Sequence, residues 1–161
     1  MARRKDKNQE DLKIKGFIKC QVTDAKTGKV IGYREVNNLV VNGGRDQFAL
    51  LAAAGTNPVT HGHVGSSTGS PSATQTDLLA SLTGSPNRKA VTTSTAQTGT
   101  AQFTWSYETN EFTATNNNVF GEVALFNSSA GGTMFSRATY AQTSKNSSMQ
   151  ISFTYQLRFS T

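Results

Sequence analysis

The chain is 161 residues long, with 35% hydrophobic and only 16% charged residues and a formal net charge of +6. Its single cysteine, Cys20, excludes an intrachain disulfide framework and a cysteine-rich metal site, and no apolar run approaches the ~20 residues of a membrane helix. The uncharged remainder of Ser, Thr, Asn, Gln and Gly is wrong for intrinsic disorder and suits a β protein with Thr-rich strands and polar connections.

Charge gathers at the start. Residues 1–11 read as a basic arm. Within the first twenty positions Arg3, Arg4, Lys5, Lys7, Lys13, Lys15 and Lys19 stand against Asp6, Glu10 and Asp11, which places +4 of the +6 there. Such an arm docks on an acidic protein neighbour or on nucleic acid. No aromatic residue interleaves with the cations before Phe17, so a stacking platform for single strands is absent and nucleic acid is the weaker partner. Polar residues follow Met-Ala-Arg-Arg-Lys where a signal peptide would be apolar, so synthesis in a cytoplasm is expected.

A single β domain is expected over 12–161. Leu12, Ile14, Gly16, Ile18, Cys20 and Val22 alternate with polar residues as in a half-buried strand. Asp24 to Gly28 supplies a turn, and Lys29 to Val41 returns as the second arm of a hairpin, with a bend or bulge at Asn37-Asn38. Asn42-Gly43-Gly44 ends that strand. A short helix follows over about Arg45 to Ala54, with Phe48, Leu51 and Ala52 on one face and Gly55 as its stop. Gly55 to Thr74 reads as loop, and Thr76-Asp77 as the cap of a brief helical turn through Leu78, Leu79 and Leu82.

From Arg88 onward the pattern is all β. Ala90 to Thr95 is Thr-rich, and Phe103, Trp105 and Tyr107 alternate with Gln102, Thr104 and Ser106. Phe112 and Ala114 continue that pattern after a turn, Val119 to Phe126 is nearly all apolar, and Met134 to Ala141 is a further strand. In the last run Met149, Ile151, Phe153, Tyr155, Leu157 and Phe159 alternate with polar residues. The sum is about eight strands and one helix, a single β-sandwich or jelly-roll-like barrel behind a basic arm. The terminal strand, with Thr and Gln on its polar face, is a candidate edge for pairing with a second subunit.

Catalytic cues come without their second residue. His61 and His63 share a face of an extended segment, but no Asp, Glu or Cys lies within a dozen residues to complete a metal site. Gly65-Ser-Ser-Thr-Gly69 lacks the lysine of a phosphate loop, and no serine elbow or histidine in a triad context is visible. Glu108 and Glu111 flank a turn, where exposure is expected. Glu122 differs because it interrupts the apolar run, so it calls for a structural partner such as Arg137 or Arg88. No catalytic residue, metal or cofactor is assigned. Trp105, Tyr107 and Phe103 raise a carbohydrate-binding alternative, but their shared parity reads better as a core face.

Several short pieces in this order resemble a recurrent family of small tailed-bacteriophage virion proteins. They are Asp24-Ala-Lys-Thr-Gly-Lys29, Asn38-Leu-Val-Val-Asn-Gly-Gly-Arg45, Val64-Gly65, Thr76-Asp-Leu-Leu79 with Arg88, Gly121-Glu-Val-Ala-Leu-Phe126, Met134-Phe-Ser-Arg137, and the alternating C-terminal strand. In such proteins the Glu-x-x-Leu-Phe and Phe-x-Arg pieces look like core-plus-salt-bridge elements, here Glu122 with Arg137; Ala124 stands where glycine is frequent. The resemblance implies a non-enzymatic virion protein assembled in the host bacterial cytoplasm. The expected role is a capsid decoration (cement) protein acting as a homo-oligomer, a trimer, on the major capsid protein. The alternative is a tail, baseplate or fibre-attachment subunit. Arg3, Arg4, Lys5, Lys7, Lys13 and Lys15 would meet the capsid or neighbour, without membrane contact.

Overall fold

The computed structural model describes residues 13–83, 87–112 and 118–160. It is mainly β. The strands are β1 (Lys13–Asp24), β2 (Val30–Val40), β3 (His61–Gly65), β4 (Lys89–Ala90), β5 (Thr92–Gln97), β6 (Thr100–Tyr107), β7 (Asn118–Phe126), β8 (Met134–Lys145) and β9 (Met149–Ser160), with one helix, α1 (Asn42–Ala54), after β2. All nine strands join one antiparallel sheet in the order β4-β3-β7-β8-β2-β1-β9-β6-β5. The sheet curls into a nearly closed barrel, bringing β4 back against β6. The basic arm of residues 1–11, with Arg3, Arg4, Lys5 and Lys7, lies outside the described residues, as does Ala114.

Alternation decides which way the long strands face. Ile18, Cys20 and Val22 of β1, Phe103, Trp105 and Tyr107 of β6, and Ile151, Phe153, Tyr155 and Leu157 of β9 all turn inward and are buried. Trp105 stacks on Phe153 at 5.0 Å between ring centroids, and Tyr107 meets Phe112 edge-on at 4.9 Å. Each such side chain stabilises the fold by about 1.5–3 kcal/mol relative to exposure. Val64, Val123, Leu125, Ala138 and Tyr140 close the core from the other side. Burial pushes the Cys20 thiol up to about 12, so it behaves as a small apolar residue.

β2 joins the two halves of the barrel by changing partners. Its Val30 to Asn38 stretch pairs with β1, whereas Leu39 and Val40 pair with Arg137 and Ser136 of β8. Asn38 marks the switch: its amide donates to the Tyr155 hydroxyl at 2.8 Å, and that hydroxyl donates to Ser136 Oγ at 2.6 Å. The irregularity in the β1–β2 ladder lies between Val22 and Thr23, not at the asparagines. In the hairpin turn Asp24 Oδ1 accepts from the Thr27 amide and hydroxyl, both at 2.8 Å, while Gly28 takes φ +69°.

Several expectations need correction. The helix starts at Asn42, so Gly43 and Gly44 lie in its first turn. There a Cβ on Gly44 would collide with the backbone of Phe135. Residues 61–65 are a strand. It escapes the alternation test because both of its faces are buried: a Cβ on Gly62 would strike the Trp105 indole, and one on Gly65 the Glu122 side chain. No helical turn forms at Thr76-Asp77; Asp77 Oδ1 accepts from the Leu78 amide within an irregular segment. Phe112 follows β6 in a bend with φ +50°, not in a strand. Finally, β9 is an interior strand, bonded to β1 over twelve register pairs and to β6 over eight. The edges are β4 and β5.

Candidate functional site

The alternation that sends Ile18, Cys20 and Val22 inward turns Lys13, Lys15, Phe17 and Lys19 to the outer face of β1. The antiparallel register then sets Lys15 directly opposite Arg158 of β9, and Phe17 opposite both Gln156 and Asn37. Lys15, Gly16, Phe17, Asn37, Gln156 and Arg158 line a groove of about 300 Å³. Lys19 covers one side of Phe17, its Nζ 5.4 Å from the ring centroid, and is opposite Glu35, which accepts a 2.7 Å hydrogen bond from the Tyr33 hydroxyl.

Among the described residues no carboxylate forms an ion pair with Lys13, Lys15 or Arg158. Like charges directly opposed on neighbouring strands repel. An anionic partner seated between Lys15 and Arg158 removes that repulsion. Gln156 gives its amide N–H to Gln102 Oε1 at 2.8 Å. The arrangement suits an extended acidic surface better than a buried small molecule, because both cations are exposed.

A second cluster lies on the opposite side of the barrel, under a strap of residues 66–83. Arg137 Nε donates to Glu122 Oε2 at 2.7 Å, its Nη2 lies 2.6 Å from the same oxygen, and both side chains are fully buried. The carboxylate also accepts from the backbone amides of Ala80, at 2.7 Å, and Leu79, at 3.1 Å. Arg137 Nη1 donates to Gln75 Oε1 at 3.2 Å. Leu78 packs beside Val41, Ala124, Phe126 and Met134 below the strap. Arg88 is not part of the pair. Its guanidinium sits 3.5 Å over the Phe126 ring and donates to the carbonyls of Ser128 and Gly131.

The histidines do share a face of β3, with other partners. His61 Nδ1 lies 2.8 Å from Thr60 Oγ1, and His63 Nε2 lies 2.5 Å from Ser81 Oγ. No group of three potential metal ligands occurs among the described residues. The Ser81–His63 contact spans eighteen positions and carries no sequence signal. Burial, and then the field of Arg88, holds His63 below its ordinary range. Both effects oppose the imidazolium that a nucleophile–base pair must form. The contact ties the strap to β3. Glu111 also departs from expectation. It is buried, paired with Lys89, and accepts the Glu108 amide at 2.8 Å, while its backbone carbonyl accepts from Lys145 Nζ at 2.5 Å. Trp105 and its neighbours lie in the core, leaving no outward aromatic platform on β6.

No protein-family model, curated protein or solved structure matches this chain.

Proposed function

We propose that this protein is a non-enzymatic structural subunit of a tailed-phage virion, a capsid decoration (cement) protein that joins neighbouring capsomers as a homo-oligomer. The observation that carries the reading is the face around Lys15 and Arg158, where two cations oppose each other over a groove and, among the described residues, no carboxylate pairs with either. Such a face recognises an acidic protein surface and gains from the partner what the monomer lacks. The basic residues Arg3, Arg4, Lys5 and Lys7 precede Lys13 and Lys15 in the chain and extend the same charge. The mainly β fold and the phage-like order of short motifs support the same reading. A virion clamp needs area and complementary charge rather than bond-making chemistry.

The deciding experiment is the copy number per purified particle, read by quantitative gel against the major shell protein. Hundreds of copies support decoration. Tens or fewer move the protein to the tail, baseplate or fibre attachment, and absence from particles overturns the virion reading.

A further inference from the structure

Among the described residues, strand β5 ends the sheet and is bonded on one side only, to β6. All six of its residues, Thr92 to Gln97, are exposed, so neither face contributes a side chain to the core. A strand held by one ladder and burying nothing is marginal by itself. Natural edges of this kind are blocked by lysine, proline, inward charges or bulges. Thr-Thr-Ser-Thr-Ala-Gln has no charge and no proline. Its one irregularity, between Thr95 and Gln97, sits beside the Gly99 turn and leaves Thr92 to Thr95 in regular register. The β-branched threonines keep the strand extended.

We infer that β5 is a self-association edge, pairing antiparallel with β5 of a second copy about a two-fold axis. Antiparallel self-pairing sets the segment against its own reverse. For an uncharged sequence, that brings no like charges face to face, so the strand is complementary to itself. The same neutrality argues against an acidic partner here, since the cations that would attract one stand on β1 and β9. The contact joins the two barrels edge to edge and completes the second ladder of β5. It names the self-contact that the assembly reading leaves open. It also predicts pairs of subunits in place of the threefold arrangement expected from the sequence.

The test is mass in solution by light scattering across a dilution series, for the full chain and for a Thr93→Lys/Thr95→Lys variant. Both threonines are exposed, so the variant keeps its fold, checked by an unchanged melting curve. The wild type should show twice the 17.2 kDa chain mass, falling on dilution, and the variant a single chain throughout. Single cysteines at positions 92 to 96, with the buried Cys20 in place as an internal control, should give a covalent dimer under mild oxidation only at the position nearest the two-fold axis, because every other residue faces a different residue of its copy. A monomeric wild type, a trimer, or an oligomer unchanged in the lysine variant overturns the inference. Each of those outcomes leaves the particle copy number unaltered, and absence from particles leaves the β5 contact standing, so the two readings fail separately.

Discussion

Glu122 on β7 and Arg137 on β8 lie on a diagonal of their ladder, one pair apart on the same face: Glu122 is opposite Thr139 and Arg137 is opposite Ala124. The face is covered by the strap, and the carboxylate that neutralises Arg137 is also the acceptor for the Leu79 and Ala80 amides. One charge pair therefore holds two layers. Removing either partner alone leaves a buried uncompensated charge, so Glu122→Leu should lower unfolding stability by about 3–5 kcal/mol. Glu122→Leu with Arg137→Met should recover part of that loss and leave about 1–3 kcal/mol, since the two strap amides remain without an acceptor. Denaturant titration of the single and double variants against the wild type reads both numbers. A double variant as unstable as the single would mean the loss comes from packing rather than from the orphaned charge.

His63 ties the same strap through Ser81, and burial followed by the charge of Arg88 lowers its pKa below the ordinary 6.5. A histidine with a lowered folded pKa binds more protons when unfolded, so stability rises with pH across that interval. The His63 contribution is complete above about 6.5 and is lost as pH falls toward the folded value. Asp77, Glu122, Arg88 and Arg137 share this neighbourhood. Melting temperature should decline below about pH 6.5, before the carboxylates protonate, and the decline should flatten in His63→Gln. His61 is also lowered by burial but is less enclosed, so His61→Gln should keep most of the slope. A melting temperature flat down to the carboxylate range would refute the assignment.

Gly62 and Trp105 meet across the core, where a Cβ on the glycine would overlap the indole ring. Gly62→Ala should cost about 1–3 kcal/mol by overpacking, and Trp105→Phe in the same chain should return part of it, because the smaller ring vacates the collision. Thermal melts of the two single variants and the pair measure the coupling. Additive losses would show that the contact does not limit the site.

These residues also show what local pattern reveals. β1 and β9 were legible because one face of each is buried and the other wet, which writes a period of two into the sequence. β3 was not, because core and strap bury both of its faces and glycines replace the side chains that would alternate. Glu122 announced itself as a charge in an apolar run. Its acceptor role toward Leu79 and Ala80, and the Ser81–His63 tie, depend on a strap whose path no periodicity encodes. The strand order was equally hidden. The C-terminal strand has the long polar face of an edge, yet twelve register pairs with β1 place it inside the sheet.

Arg158 and Lys15 give the last prediction, in which stability and binding move in opposite directions. The two are directly opposed on β9 and β1. Replacing one by a carboxylate turns a repulsive cross-strand pair into an attractive one, worth about 0.2–1 kcal/mol. Arg158→Glu should therefore raise the melting temperature slightly while weakening attachment to acidic surfaces, measured as retention on capsids or on immobilised poly-glutamate. The wild-type interaction should weaken with added salt, as exposed charges require. If the arrangement were incidental, the substitution would gain stability and lose nothing. Undiminished retention of Arg158→Glu would remove the groove from the binding surface.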